Sequence, residues 1–232
     1  MRRSIVISVL CFVLGLVLGA LLLFLILTRG WLPNTRVTIT TGTTDRSVNT
    51  IVTPAARQSD PPDAPVGNEV LLARAMEVAG YLRDQDWSAL AGAIHPEKGV
   101  RFTPYSSVSD GDMVFSPEET AAFGSDTRSY MWGYSDGAGE PMTMTVRSYF
   151  KEFVFNADFT QAPLLAVNRV QVYGNALENV ADAYPEGSFV EFYYDGLDPA
   201  NEGFDWCALK LVFESYQGRL MLVGVIHSQW TI

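Results

Sequence analysis

The chain has 232 residues, of which 48% are hydrophobic, the content of an ordinary folded protein of one or two domains. Charge is divided unevenly: residues 1–67 carry six basic and three acidic side chains, whereas 68–232 carry ten basic and 23 acidic ones, a net of −13. So acidic a body repels phosphate backbones and excludes nucleic acid as a partner. Two cysteines, Cys11 and Cys207, exclude a disulfide framework or a cysteine-rich metal site.

Residues 5–27 are an apolar run interrupted only by Ser8, Gly15 and Gly19. As a helix this run is about 34 Å long, against about 30 Å of bilayer hydrocarbon. That exceeds the apolar region of a secretory signal peptide, and no A-x-A cleavage pattern follows it. The run therefore reads as an uncleaved, transmembrane signal anchor. Cys11 follows Ser8-Val9-Leu10, without the small residue that a lipobox places before its cysteine. Arg2 and Arg3 flank one end and Arg29 and Arg36 the other, so the local charge count is balanced. The short tail 1–4 and the acidic body favour a single pass of the plasma membrane, with the tail cytoplasmic and the C-terminal domain extracytoplasmic. Trp31 is either an interfacial anchor or a plain linker residue. Residues 28–67 read as a stalk: 33–67 hold eight threonines, five prolines and no aromatic residue, too little apolar surface to offset chain entropy. Within it, QSDPPDAP at 58–65 favours polyproline II, and RVTITT at 36–41 alternates like a strand in need of an edge.

The folded domain is expected over 68–232. Asn68 is placed as the N-cap of a helix over 69–84, with Leu72, Ala75, Met76, Ala79 and Leu82 on its apolar face. Asp86 caps a second helix over 87–94, stopped by His95-Pro96. Residues 100–103 and 113–115 read as short strands around a polar loop, and Ser116-Pro117-Glu118-Glu119 as a helix start. A strand over 128–134 leads to the turn Asp136-Gly137-Ala138-Gly139, and Thr145 caps a further helix bearing Val146, Tyr149, Phe150 and Phe153 on one face. Period-two alternation then predicts strands over 167–173, 188–194, 206–214 and 219–227, with Cys207 on a core face. Helices first and a meander of long strands last define an α+β domain, its N-terminal helices packed on a curved antiparallel sheet.

The runs HPEKGVRFTPY at 95–105, WGYSDGAGEP at 132–141, FVEFYYDGLDP at 189–199 and DWCALKLVFESYQGRLMLVGVIHSQWTI at 205–232 resemble a family of uncharacterised extracytoplasmic domains of Gram-positive bacteria, often carried on lipoproteins. The element order and the closing tryptophan-bearing strand also resemble the NTF2-like, cystatin-like cone. That architecture hosts isomerases, dehydratases, ligand binders and assembly modules, so it implies no single activity. Without a lipobox, the anchor here is the helix.

Candidate chemistry is sparse. The two histidines, His95 and His227, would reach the mouth of one cavity in a cone and could move a proton there. The plainer alternative is that His95 orders its loop and His227 pairs across the sheet. Arg101 is one of ten cations among 23 acids and calls for a carboxylate partner or an anionic ligand. With Tyr105 and Trp132, whose neighbour Gly133 permits close approach, these residues form the expected ligand-binding surface. The acids Asp195, Asp198, Glu202 and Asp205 concentrate in one strand-connecting loop and are candidates for calcium, with Asp110 and Asp112 weaker; no cofactor is otherwise expected. No nucleophile elbow or zinc spacing is present. The expected role is a membrane-anchored binding or scaffolding module of the cell envelope, contacting protein, cell wall or a small apolar ligand. The alternative is an envelope hydrolase or lyase that uses His95 and His227 for acid–base catalysis.

Overall fold

The computed structural model describes residues 67–231; the predicted anchor and stalk lie outside the described residues. Among those described, no helix is long and apolar enough to cross a membrane. In chain order they form α1 (Asn68–Asp84), α2 (Trp87–Ala93), β1 (Val100–Thr103), β2 (Met113–Phe115), α3 (Pro117–Ala121), β3 (Ser129–Tyr134), β4 (Pro141–Thr145), α4 (Val146–Tyr149), β5 (Leu164–Val167), α5 (Val180–Ala183), β6 (Ser188–Tyr194), β7 (Cys207–Tyr216) and β8 (Arg219–Gln229). The architecture is mixed α+β. Six strands form one sheet in the order β2-β1-β8-β7-β6-β5, and β3 and β4 form a separate hairpin.

Local chemistry accounts for several boundaries. The Asp86 carboxylate accepts from the Ala89 amide at 3.0 Å and starts α2. Ser116 and Glu119 form a reciprocal capping box at α3. Gln217 and Gly218 both take positive φ (50° and 74°), the primed turn whose twist suits a two-residue hairpin between β7 and β8.

Other boundaries differ from expectation. Gly67, not Asn68, is the N-cap of α1, and no side chain caps it. The buried stripe of α1 is Leu71, Ala75, Val78, Ala79 and Leu82; Leu72 packs against it only partly buried, and Met76 is exposed. Residues 141–145 join the hairpin as β4, and the helix capped by Thr145 widens after one turn into a π-helix over Phe150–Val154. The sheet is not wholly antiparallel, because β1 runs parallel to β8. The strand expected over 167–173 ends at Val167. There Asn168 turns to φ 51°, and its side-chain oxygen accepts the Phe189 amide at 2.8 Å in place of the next ladder bond.

One face of the sheet packs under the helices. Cys207, Leu209, Leu211 and Phe213 of β7 join Val190 and Phe192 of β6, Val225 of β8 and Phe102 of β1 there. Against them lie Trp132 from the hairpin and Tyr149, Phe150 and Phe153 from α4 and its extension. Trp132 and Tyr149 stack with ring centres 3.7 Å apart, and the Trp132 Nε1–H donates to the Met144 carbonyl at 2.9 Å. The sheet face under the helices is therefore filled by aromatic rings.

The opposite face is covered too. After Val167 the chain crosses it as residues 168–187, and Val180 with partly buried Val170 and Tyr184 seals a second cluster of Phe189, Val212, Val223 and Ile226. Lys210 lies on this face and is fully buried. Its ammonium lies 3.2 Å from Glu191, directly across on β6, and 2.7 Å from Glu178 of the crossing segment; it donates to Ser228 Oγ at 3.1 Å. Ser228 in turn meets Ser106 at 2.8 Å. Burial pushes the Glu191 carboxyl above its ordinary value, with Lys210 opposing.

Removing one member of such a triad strands a buried charge. Lys210→Met is expected to cost about 3–5 kcal/mol in urea unfolding of the full chain, most of it recovered on adding Glu178→Gln and Glu191→Met. Additive losses across the three substitutions would show that the charges are not coupled.

Candidate functional site

The connection between β1 and β2, residues 104–112, stands between two open clefts. Its shape follows from its polar residues. Asp112 Oδ2 accepts from Thr103 Oγ1 at 2.7 Å and from the Ser109 amide at 3.0 Å. Asn179 of the crossing segment clamps Val108, accepting from its amide at 2.8 Å and donating to its carbonyl at 2.9 Å. The Arg101 guanidinium donates to the Ser109 carbonyl. Burial raises the Asp112 carboxyl above its ordinary value against these bonds.

The first cleft, about 630 Å³, lies between this loop, the β3–β4 hairpin and residues 175–177, with Tyr105, Asp112, Gly133 and exposed Tyr134 on its walls. Gly133 has φ 130° there, and a Cβ at this position would meet Pro104 at 3.7 Å. The second, about 520 Å³, opens on the outer face of the sheet. Arg101, Ser109, Asp110, Asp182 and Tyr184 line it.

The five residues expected to share a ligand surface are divided among three environments. Tyr105 reaches the first cleft, and its ring lies 5.8 Å from Phe153. Trp132 is buried behind it on Tyr149, and His227 is buried 5.9 Å from Phe153 on the other side, so these three residues border one aromatic cluster. Arg101 faces the second cleft. His95 is apart from all of them. Its amide donates to the Leu222 carbonyl at 3.0 Å, its Nδ1 accepts from the amides of Glu97 and Lys98 at 3.2 and 3.0 Å, and its ring packs on Tyr216. Leu222 and His227 belong to the same strand, five residues apart, which puts the two histidine positions on the order of 16 Å from each other.

His227 is paired with Leu209 in the ladder and buried among apolar groups. Its Nε2 lies 3.1 Å from Gln229 Oε1 and its Nδ1 makes no hydrogen bond. Burial drives its pKa down to about 4, with Lys210 adding to the shift and Gln229 opposing it. The imidazole is thus neutral at physiological pH and closed off from solvent. Cys207 is buried, and desolvation raises its thiol to about 12, so it is no nucleophile at neutral pH.

The calcium expectation for the acidic loop finds no assembled ligand set. Asp198 Oδ1 accepts from the Ala200 amide, and Asp205 Oδ2 accepts from the Asp198 amide and from Asn201 Nδ2, so these carboxylates close their own loop. Glu202 supplies a left-handed turn at φ 50°. Among the described residues no three His, Cys, Asp or Glu side chains, Asp195 included, are grouped to hold a metal ion.

Tyr184 was invisible to periodicity because it lies in an irregular segment. Its sequence signal is on another strand: Gly224, inside β8, marks a close approach. A Cβ at 224 would come within 2.6 Å of the Tyr184 hydroxyl.

No known family profile matches the chain, and no curated protein matches it. Among solved structures, a protein described as a calcium/calmodulin dependent protein kinase II association domain from Xanthomonas campestris is similar at 12% identity, covering 77% of this chain and 97% of that one. Its TM-score is 0.31, too slight a likeness to carry an argument.

Two outcomes are expected of the histidines. His95→Ala should cost about 2 kcal/mol, because two amides lose a shielded acceptor; a loss under about 0.5 kcal/mol would mark His95 as a surface group. His227 is held below its ordinary value of 6.5, so the unfolded chain takes up a proton first as the solution is acidified. Its contribution is complete above pH 6.5 and falls as pH drops to about 4, a loss of about 3 kcal/mol. Urea unfolding between pH 7 and 4 should show this decline in the wild type and lack it in His227→Gln; equal slopes would refute the assignment.

Proposed function

We propose that this chain is a binding module of a Gram-positive cell envelope, an NTF2-like cone held outside the plasma membrane by the anchor 5–27 and the stalk 28–67. Its contacts there are an envelope protein, the cell wall or a small apolar ligand. One observation carries this reading: the sheet face under the helices, where a catalytic cone would keep its cavity, is packed with Phe102, Trp132, Tyr149 and Phe153, all fully buried. The open clefts lie outside that core, on either side of loop 104–112. A catalytic role for His95 and His227 needs both in one cavity, and each instead has its ring engaged within the fold at its own place.

Protoplasts bearing the full-length chain, treated with external protease, should release the folded domain as a soluble fragment cut within 28–67. Protection of the domain until the membrane is permeabilised would overturn the envelope assignment.

A further inference from the structure

The second cleft holds charged groups that enter no ion pair: Arg101 is satisfied only by the Ser109 carbonyl and the more distant charge of Asp112. Lys98, at its edge, is paired with Glu214. Arg101 is different: among the described residues no carboxylate lies within ion-pair distance of its guanidinium, which is partly buried on β1. Its register partner on β8 is Gly224, and the missing side chain there admits the Tyr184 hydroxyl to the same spot. That hydroxyl is buried beside the Arg101 guanidinium, with no carboxylate or carbonyl to accept its proton. Burial raises its pKa to about 12, against a smaller pull from Arg101, so it stays protonated and available as a donor. On the cleft's remaining wall, Asp110 and Asp182 enter no ion pair among the described residues.

These groups select by charge. An isolated anion would satisfy Arg101 and Tyr184 but face two carboxylates. An isolated cation would satisfy the carboxylates but face a guanidinium. A molecule carrying both charges is complementary to the buried Arg101–Tyr184 end and to the exposed carboxylates at once, and a volume of about 520 Å³ suits a small one.

We infer that this cleft binds a small zwitterion of the amino acid or short-peptide class: the ligand carboxylate on the Arg101 guanidinium and the Tyr184 hydroxyl, its ammonium on Asp110 and Asp182. The planar guanidinium fork matches a carboxylate in bidentate geometry. A hydroxyl whose proton has no acceptor is the kind of group a ligand repays, since its desolvation cost has already been met by folding. The inference adds a charged ligand to the apolar one expected of the binding module proposed above and rests on that module reading.

The test is calorimetric titration of the full-length chain in detergent micelles with the dipeptide alanylalanine, with its N-acetylated form and with its C-terminal amide. The free dipeptide should bind at least about tenfold more tightly than either blocked form. Tyr184→Phe removes a hydroxyl whose proton has no acceptor and keeps the ring, and Asp182→Asn alters an exposed side chain, so both should keep the melting temperature within a few degrees of the wild type. Each should weaken alanylalanine by about fivefold or more. Equal affinity for free and blocked forms, undiminished binding by both variants, or no binding by the wild type would each overturn the zwitterion site. Any of these results, with the domain still released by external protease, leaves the module reading standing. A domain protected from the protease removes that reading whatever the titration shows.

Discussion

A lysine ammonium buried in the middle of the sheet sets the terms for this fold. Lys210 sits on the strand face opposite the helices, where a two-layer α+β domain would leave a side chain in water. An unpaired ammonium there is costly, because its desolvation takes several kcal/mol from a total margin of about 5–15 kcal/mol in an ordinary domain. Glu191 on the neighbouring strand supplies one counter-charge, but a cross-strand pair facing solvent would not be buried. The crossing segment 168–187 supplies the second through Glu178 and at the same time excludes water. The lysine and its cover therefore imply each other.

From that cover follows the placement of the open clefts. Residues 168–187 carry Asn179, which clamps loop 104–112, and Tyr184, which lies across Gly224 toward Arg101. Ser106 and Ser228 extend the Lys210 network to the base of the same loop. The loop is thus held between the sheet and the crossing segment, and the spaces left on its two sides are the clefts. Packing on the helical face has the opposite result. Stacked and edge-on aromatic pairs fill the space between the sheet and the helices, and a histidine buried against them is forced neutral.

The division of labour among the expected ligand residues has the same origin. Alternation along β1 sends Phe102 into the aromatic core and Arg101 to the outer face, so the two neighbours serve different sides of the sheet. His227 is on the core side of β8 and Ser228 on the charged side for the same reason. His95 is held by a turn whose amides point at its ring, a local arrangement independent of either cleft.

Much of this was legible in the sequence wherever the determining interactions are local. Asp86 and the run from Ser116 to Glu119 announce helix starts because a cap needs only groups within one turn. Strands β6, β7 and β8 are read from their alternation, since one face of each meets the same apolar layer along its whole length. Interactions distant along the chain were not legible. The parallel seating of β1 on β8 depends on a pairing more than a hundred residues apart, and the alternation at 167–173 was outweighed when Asn168 capped the strand and turned the chain across the sheet. Composition identified Arg101 as a scarce cation in an acidic body. Which groups stand beside it was decided in three dimensions, because Gly224 records an absence whose meaning depends on the ring that fills it.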